Sequence, residues 1–360
     1  MPPPLGKPNP LGAKWDWARV DKYKPYLASL SGGATFYDFA WCDVEPTEGM
    51  RNWSTIDDVA NNTRALGFVL YLKVRTGSCW ATVQSNGGGR GRKGVSSMPA
   101  DMAKYEAFVK DVVARYSPLG VRNYAIENEV NAPIHWSGTS AEYVALVTAA
   151  SRAIHAADPN ARVMDGGLGS TVYGDAIARQ LLDQGKNAEA VSAYQQYYAR
   201  RFPARAQQLP QVSNASELRD ALNSGQAARN LEYFDATVRM TKDKLVDDFQ
   251  IHFYESKNNV PALLGLLHAT LPPGLPIHAL EVGQFWPNAP DDEHAHAEEL
   301  RLTVNELLHG GVTRVIWLPL AYNPNGRNAS ELRFGLVDPD GRVRESGRVF
   351  AEIAAAHART

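Results

Sequence analysis

Short apolar runs and longer amphipathic stretches alternate along the chain. Ala34 to Ala40, after Gly32-Gly33, is rich in β-branched and aromatic residues and reads as a strand. Ile56 to Leu66 places Ile56, Val59 and Leu66 at helical spacing, and Gly67 closes that helix. Phe68 to Val74 is the next strand. Ser85 to Ser97, rich in Gly, Arg and Ser, is a loop. Met102 to Tyr116 is a helix with Tyr105, Phe108, Val109 and Val112 on one face, and Val121 to Ile126 is a strand. Ser140 to Ala157 is a helix, N-capped by Ser140 or Thr139 and stopped by Asp158-Pro159. Arg162 to Asp165 is a short strand that runs into Gly166-Gly167.

The rhythm breaks from about 174 to 243. Several helices are expected there, carrying Tyr194, Tyr197, Tyr198 and Phe202, then Leu218, Leu222, Leu231, Phe234 and Val238. That is much longer than an ordinary βα connection. Strand then returns over Leu245 to Tyr254, helix over Pro261 to Leu271, and strand over Pro276 to Glu281. Asp291 to His309 is helical, Val312 to Leu318 is a strand, and Ser346 to Ala356 is a closing helix. These strands number about seven, and Leu11 to Trp17 is a weak candidate for an eighth. Regular βα alternation over this length predicts an α/β fold, a (β/α)₈ TIM barrel. The expected organisation is one catalytic barrel domain over residues 1–360, with a helical insertion after strand 5. No Gly-x-Gly-x-x-Gly follows an early strand, so a dinucleotide-binding fold lacks its mark.

Composition narrows the function classes. The chain has 360 residues and a formal charge of −2, a near-neutral balance that gives no support for a nucleic-acid or membrane surface. No apolar run approaches the roughly 20 residues that span a bilayer. Met1-Pro2-Pro3-Pro4 lacks the charged and apolar regions of a signal peptide. Localisation stays open: secreted if the N-terminus has been trimmed, cytoplasmic otherwise. Cys42 and Cys79 are too few for a disulfide framework; free thiols are the leading reading and a bridge the alternative. Four glycosylation sequons, at Asn52, Asn61, Asn214 and Asn328, carry no weight, because the motif is short and common.

Candidate chemistry lies in Tyr124-Ala125-Ile126-Glu127-Asn128-Glu129-Val130 and Pro276-Ile277-His278-Ala279-Leu280-Glu281-Val282-Gly283. Each is an apolar run ending in a carboxylate. Burying an unpaired charge is costly, so such strands make sense where they open onto a cleft. Barrel sites lie at the C-terminal strand ends. Period-two alternation puts Ala125, Glu127 and Glu129 on one face of the first strand with Asn128 on the other, and Ile277, Ala279 and Glu281 on one face of the second. With Ala125 and Ala279 filling the interior, Glu129 and Glu281 reach the mouth. Two facing carboxylates are what glycosidic cleavage needs.

Asn128-Glu129 near the end of the fourth strand and Glu281 at the end of the seventh resemble the retaining glycoside hydrolases of clan A. Trp41-Cys42-Asp43-Val44-Glu45-Pro46-Thr47-Glu48-Gly49, with Asn52-Trp53 and Ile56-Asp57, resembles a stretch of these enzymes. Trp136-Ser137-Gly138-Thr139 with Glu142-Tyr143, then Asp158-Pro159-Asn160-Ala161-Arg162-Val163, is similar to the segment after the first catalytic Glu in glycoside hydrolase family 39 and its relatives. The resemblance runs from about residue 34 to 356, leaving out the helical insertion.

It implies a retaining glycosidase acting on a β-linked glycan or glycoside, without a cofactor or metal. Glu129 would be the general acid/base, with a raised pKa, and Glu281 the nucleophile, their carboxyls about 5–5.5 Å apart. Asn128 would bond the sugar 2-hydroxyl. His252 and Tyr254 would face the site, the Tyr bonding the nucleophile, and Trp317 would floor the sugar. Relatives carry an Arg near the end of strand two that supports the nucleophile. Here that region reads Phe36-Tyr37-Asp38-Phe39, so either Arg75 substitutes or the site is organised differently.

Plainer readings stand beside these. Glu129 suits a helix N-terminus, and Glu127 competes for the acid role. His252 and Trp317 suit a core, and Trp41 and Trp136 are subsite aromatics or packing. Glu293-His294-Ala295-His296 lacks zinc-helix spacing and reads as an exposed helical face. Arg90, Arg92 and Lys93 read as a mobile loop, with a site for acidic sugars as the minority reading. The whole chain has two rivals to the glycosidase: a barrel that binds carbohydrate without cleaving it, and a metal-dependent barrel hydrolase or lyase. The insertion is expected to wall the cleft and favour exo action.

Overall fold

A computed structural model describes residues 9–83, 94–205 and 209–357. It contains eight strands: β1 (Leu11–Ala13), β2 (Ala34–Ala40), β3 (Val69–Arg75), β4 (Asn123–Ile126), β5 (Arg162–Met164), β6 (Phe249–Phe253), β7 (Ile277–Val282) and β8 (Val312–Trp317). All pairings are parallel, in two four-stranded sheets ordered β2-β3-β4-β5 and β1-β8-β7-β6. The sheets approach each other at two seams. At one, Met164 bridges Asp248 in parallel sense, and the Asp247 N–H donates to the Val163 carbonyl at 2.7 Å. At the other, β1 lies so close to β2 that a Cβ on Gly12 would sit 1.8 Å from the Ala34 carbonyl oxygen; only glycine fits there.

The strands read as near-continuous apolar runs because both of their faces are covered. Ala34, Phe36, Tyr71, Ala125, Met164, Leu280 and Ile316, from six strands, form a small cluster of their own. The larger apolar cluster joins the strands to the helices. Ser140–Ala157 starts with Thr139 in a capping box with Glu142, which settles the two N-cap candidates in favour of Thr139.

Several expected boundaries move. β6 starts at Phe249 rather than Leu245, because the two acids before it are engaged by side chains: Asp247 by His155 and Asp248 by Arg162. β1 stops at Ala13, since Asp16 caps a 3₁₀ turn over Trp17–Arg19. The Val20–Ala28 helix carries Pro25 inside it, which hides it from sequence pattern. Among the described residues, five helices lie between β5 and β6: Thr171–Asp183, Asn187–Tyr197, Phe202–Arg205, Ala215–Leu222 and Gly225–Lys242. Of the loop expected over Ser85 to Ser97, residues 85–93, with Arg90, Arg92 and Lys93, lie outside the described residues.

Cys42 and Cys79 form a disulfide, with Cα atoms 5.6 Å apart, which corrects the free-thiol reading. β2 and β3 pair up to Ala40 and Arg75, so the segments leaving them run side by side. No helix among the described residues is long and apolar enough to cross a membrane.

Candidate active site

The ends of β3, β4, β6 and β7 bring the ionisable groups together. Hydrogen-bonded strand ends at Ile126, and Glu127 and Glu129 then take left-handed backbone conformations, φ 70° and 44°. Such conformations are sparse for residues with a Cβ and cluster where the surroundings dictate them. They break the period-two alternation, so the expected sharing of a face by Glu127 and Glu129 does not occur. Glu127 is fully buried and accepts the Thr76 N–H at 2.6 Å, with Arg75 Nε 3.7 Å from its other oxygen. Burial pushes the Glu127 carboxyl up, against the pull of Arg75 and the hydrogen bonds. The competitor for the acid role thus ties β4 to β3, and Arg75 is spent there rather than on Glu281.

Glu129 faces two imidazoles. His252 Nδ1 lies 2.9 Å from Oε1, and His135 Nε2 lies 3.4 Å from Oε2. The turn that carries Glu129 and His135 is pinned by Arg229, whose guanidinium donates to the carbonyls of Val130, Asn131 and Trp136. Burial pushes the Glu129 carboxyl up, but the hydrogen bonds of His135 and His252, with the charge of His135, outweigh it and hold the group below the usual carboxylate range. The expectation of a raised pKa is therefore reversed in the free protein.

Glu281 reaches the same place through a bulge. β6 and β7 pair Ile251 with Ala279 and then His252 with Glu281, which leaves Leu280 without a partner. The extra residue re-aims the chain. Leu280 packs in the small strand cluster and Ala279 in the larger one, so Ala279 is not the interior residue that strict alternation predicts. Tyr254 donates its hydroxyl to Glu281 Oε2 at 3.0 Å. Burial, then the nearby carboxylates, push the Tyr254 phenol far up, so it stays a donor.

Lys73, a residue that sequence reasoning missed, sits at the centre. Its buried ammonium donates to Glu281 Oε1 at 2.6 Å and to Asn128 Oδ1 at 2.8 Å, and lies 3.3 Å from His252 Nε2 and 4.4 Å from the Phe36 ring centre. An ammonium has three donors and no acceptor. Its third partner, His252 Nε2, must therefore accept, which leaves Nδ1 to carry the proton given to Glu129. The signal was present in Val69-Leu70-Tyr71-Leu72-Lys73-Val74: a lone lysine near the C-terminal end of an apolar strand.

Glu129, His252 and Glu281 each offer an atom within 4.8 Å of the others. The set fits a metal poorly, because the Lys73 ammonium already bonds Glu281 and His252 where a second cation would meet it.

The structure does not bring the three tryptophans to this site. Trp317 is 1% exposed, donates to the Phe334 carbonyl and packs on Phe350 of the closing helix. Trp41 stacks on Phe108 and donates to Glu45, and that carboxylate also takes the Gly49 N–H and Arg51. Trp136 is buried against Tyr143 and donates to the Thr139 carbonyl. All three serve packing. Of the Glu293–His296 segment, His294 is exposed as expected, but His296 is buried on Phe334.

No family model and no curated protein sequence matches the chain. Solved structures do. A family 39 glycoside hydrolase from the gut symbiont Bacteroides cellulosilyticus WH2 superposes with a TM-score of 0.64 at 13% identity, over 97% of this chain and 64% of that one. A monomeric β-xylosidase from Caulobacter crescentus CB15 gives 0.59 at 17% identity, over 98% and 69%. A psychrophilic family 10 endo-β-1,4-xylanase gives 0.57 at 15% identity, over 95% and 96%. The chain spans 64% of the length of the first of these. It has the fold of family 39 and other clan A glycoside hydrolases, in agreement with the resemblance read from its motifs.

Proposed function

We propose that the chain is a retaining glycosidase built on one closed (β/α)₈ barrel, with the five helices between β5 and β6 as an insertion, and that it cleaves a β-linked glycan or glycoside. The observation that carries this reading is the opposition of Glu129 and Glu281, with one oxygen of each within 4.8 Å. So close an approach of one oxygen pair supports direct attack by one carboxylate, for which carboxyls lie about 5–5.5 Å apart, over inversion, which needs about 6.5–9.5 Å.

Glu281 attacks the anomeric carbon as the nucleophile while Glu129 protonates the leaving oxygen. Water then releases the sugar with Glu129 as base. Tyr254 and Lys73 hold Glu281 and offset its charge, which supplies what the missing strand-two Arg left open and removes the motive for an inert carbohydrate-binding barrel. Asn128 keeps its amide N–H₂ for the sugar, since Lys73 takes its carbonyl. Glu129→Gln and Glu281→Gln should each cut kcat on nitrophenyl glycosides by about 10²–10⁴-fold, with wild-type product of retained configuration by proton NMR. Undiminished activity in both variants overturns the assignment.

The insertion walls the cleft. Buried Arg201 bonds Glu255 after β6 and Glu331 after β8, and Arg200 covers Trp286 after β7. A cleft closed on that side favours cleavage at chain ends. A product profile from a long oligosaccharide dominated by mid-chain cuts would sink this part.

A further inference from the structure

The hydrogen bonds around Glu129 raise a question about its proton. Oε1 faces His252, and His252 is held as the neutral, Nδ1-protonated tautomer because the Lys73 ammonium points at Nε2. A second proton on Nε2 would set two cationic donors against each other at 3.3 Å. His252 therefore stabilises the carboxylate but cannot act as a proton donor to it without losing its own place beside Lys73. The other oxygen, Oε2, faces His135, whose side chain is 29% exposed and so is in touch with bulk water. His135 contacts Glu129 on its own turn; on the far side of that carboxylate stand His252 from β6, Glu281 from β7 and Lys73 from β3, and Arg229 from the Gly225–Lys242 helix bonds the turn at Val130 and Trp136. Among the described residues that bond Glu129, His135 is the one that combines access to solvent with a position away from the lysine.

We propose that His135 loads and unloads the acid/base proton of Glu129, a step that rests on the glycosidase reading above. The His135 imidazolium gives its Nε2 proton to Glu129 Oε2 and becomes neutral. The new O–H turns about its C–O bond toward the glycosidic oxygen, and on bond cleavage the proton leaves with the alcohol. In the second half, Glu129 takes a proton from the attacking water and returns it through Oε2 to His135, which restores the starting state. His135 acts through Glu129 and does not touch the sugar, so it is a positioning residue.

The test compares wild type with His135→Ala and His135→Gln on two β-glycosides of one sugar, a nitrophenyl and a dinitrophenyl derivative, across pH. Loss of the imidazole should move the basic limb of kcat/KM down by about one unit, because the shared proton is then held by a carboxyl alone. At neutral pH, kcat should fall about tenfold on the nitrophenyl glycoside and only about two- to threefold on the dinitrophenyl one, whose leaving group needs little protonation. Added imidazole should restore part of the activity of His135→Ala. Equal losses on both substrates with an unmoved pH limb would show a purely structural role and overturn the proposal. Glu129→Gln and Glu281→Gln run alongside separate the two readings. If they remain active, the glycosidase site itself is wrong. If they are inactive and the His135 variants keep the wild-type pH limb, only the His135 assignment falls.

Discussion

Lys73 shows how one side chain organises several others. A buried ammonium needs compensating acceptors, and Lys73 has three from three strand ends: Glu281, Asn128 and His252. Its charge holds Glu281 in place, and its direction sets the His252 tautomer. Lys73→Met keeps the stem and removes the charge. It should destabilise the protein by about 3–5 kcal/mol, as expected when one partner of a buried pair is deleted, and lower kcat by about 10²–10³-fold. Urea unfolding and steady-state kinetics measure the two effects; a variant with unchanged stability and rate would show that Lys73 does not support Glu281. The same residue explains why Arg75 was the wrong substitute. It is two positions further along β3, and its guanidinium is turned to Glu127 and Ser96.

At the level of the element, strand ends decide the site by departing from regular structure. β4 stops one residue before Glu127, and β7 bulges at Leu280. The turn after β5 does the same for His252. Gly167 has φ +68°, and a Cβ there would lie 2.5 Å from His252 Nε2. Gly167→Ala therefore carries two penalties, a strained backbone and a displaced imidazole. We expect a loss of about 1–3 kcal/mol in stability, and a fall in kcat larger than that loss alone would cause. An active, undisturbed Gly167→Ala protein would mean that the imidazole can move without consequence. Period-two reasoning located Glu129 and Glu281 within the right segments yet gave the wrong companions, Glu127 and Ala279. Alternation holds only while the ladder continues, and the site begins where the ladder ends.

Across the whole molecule, the loops at the C-terminal strand ends are tied together by the Cys42–Cys79 disulfide and by Arg200 and Arg201 in the turn between the Asn187–Tyr197 and Phe202–Arg205 helices. The cysteines are 37 residues apart in sequence. In the chain-entropy account, a closed loop of that size contributes about 4 kcal/mol by restricting the unfolded chain. The Cys42→Ser/Cys79→Ser protein should lose about that much in urea unfolding, and the wild type should lose it on reduction; no shift in either would show that the bridge does not matter for stability. By itself the sequence determined the α/β alternation, the identity of seven strands, the helical stretch between β5 and β6, and the two segments that carry Glu129 and Glu281. These follow from local periodicity, capping and the cost of burying a lone charge. Only the tertiary structure decided that Lys73 and His135 stand beside those carboxylates, that Cys42 meets Cys79, and that Trp41, Trp136 and Trp317 are buried in packing contacts. Those outcomes depend on which strand ends lie side by side and on where bulges and left-handed residues turn the chain. No spacing within a single segment encodes that information.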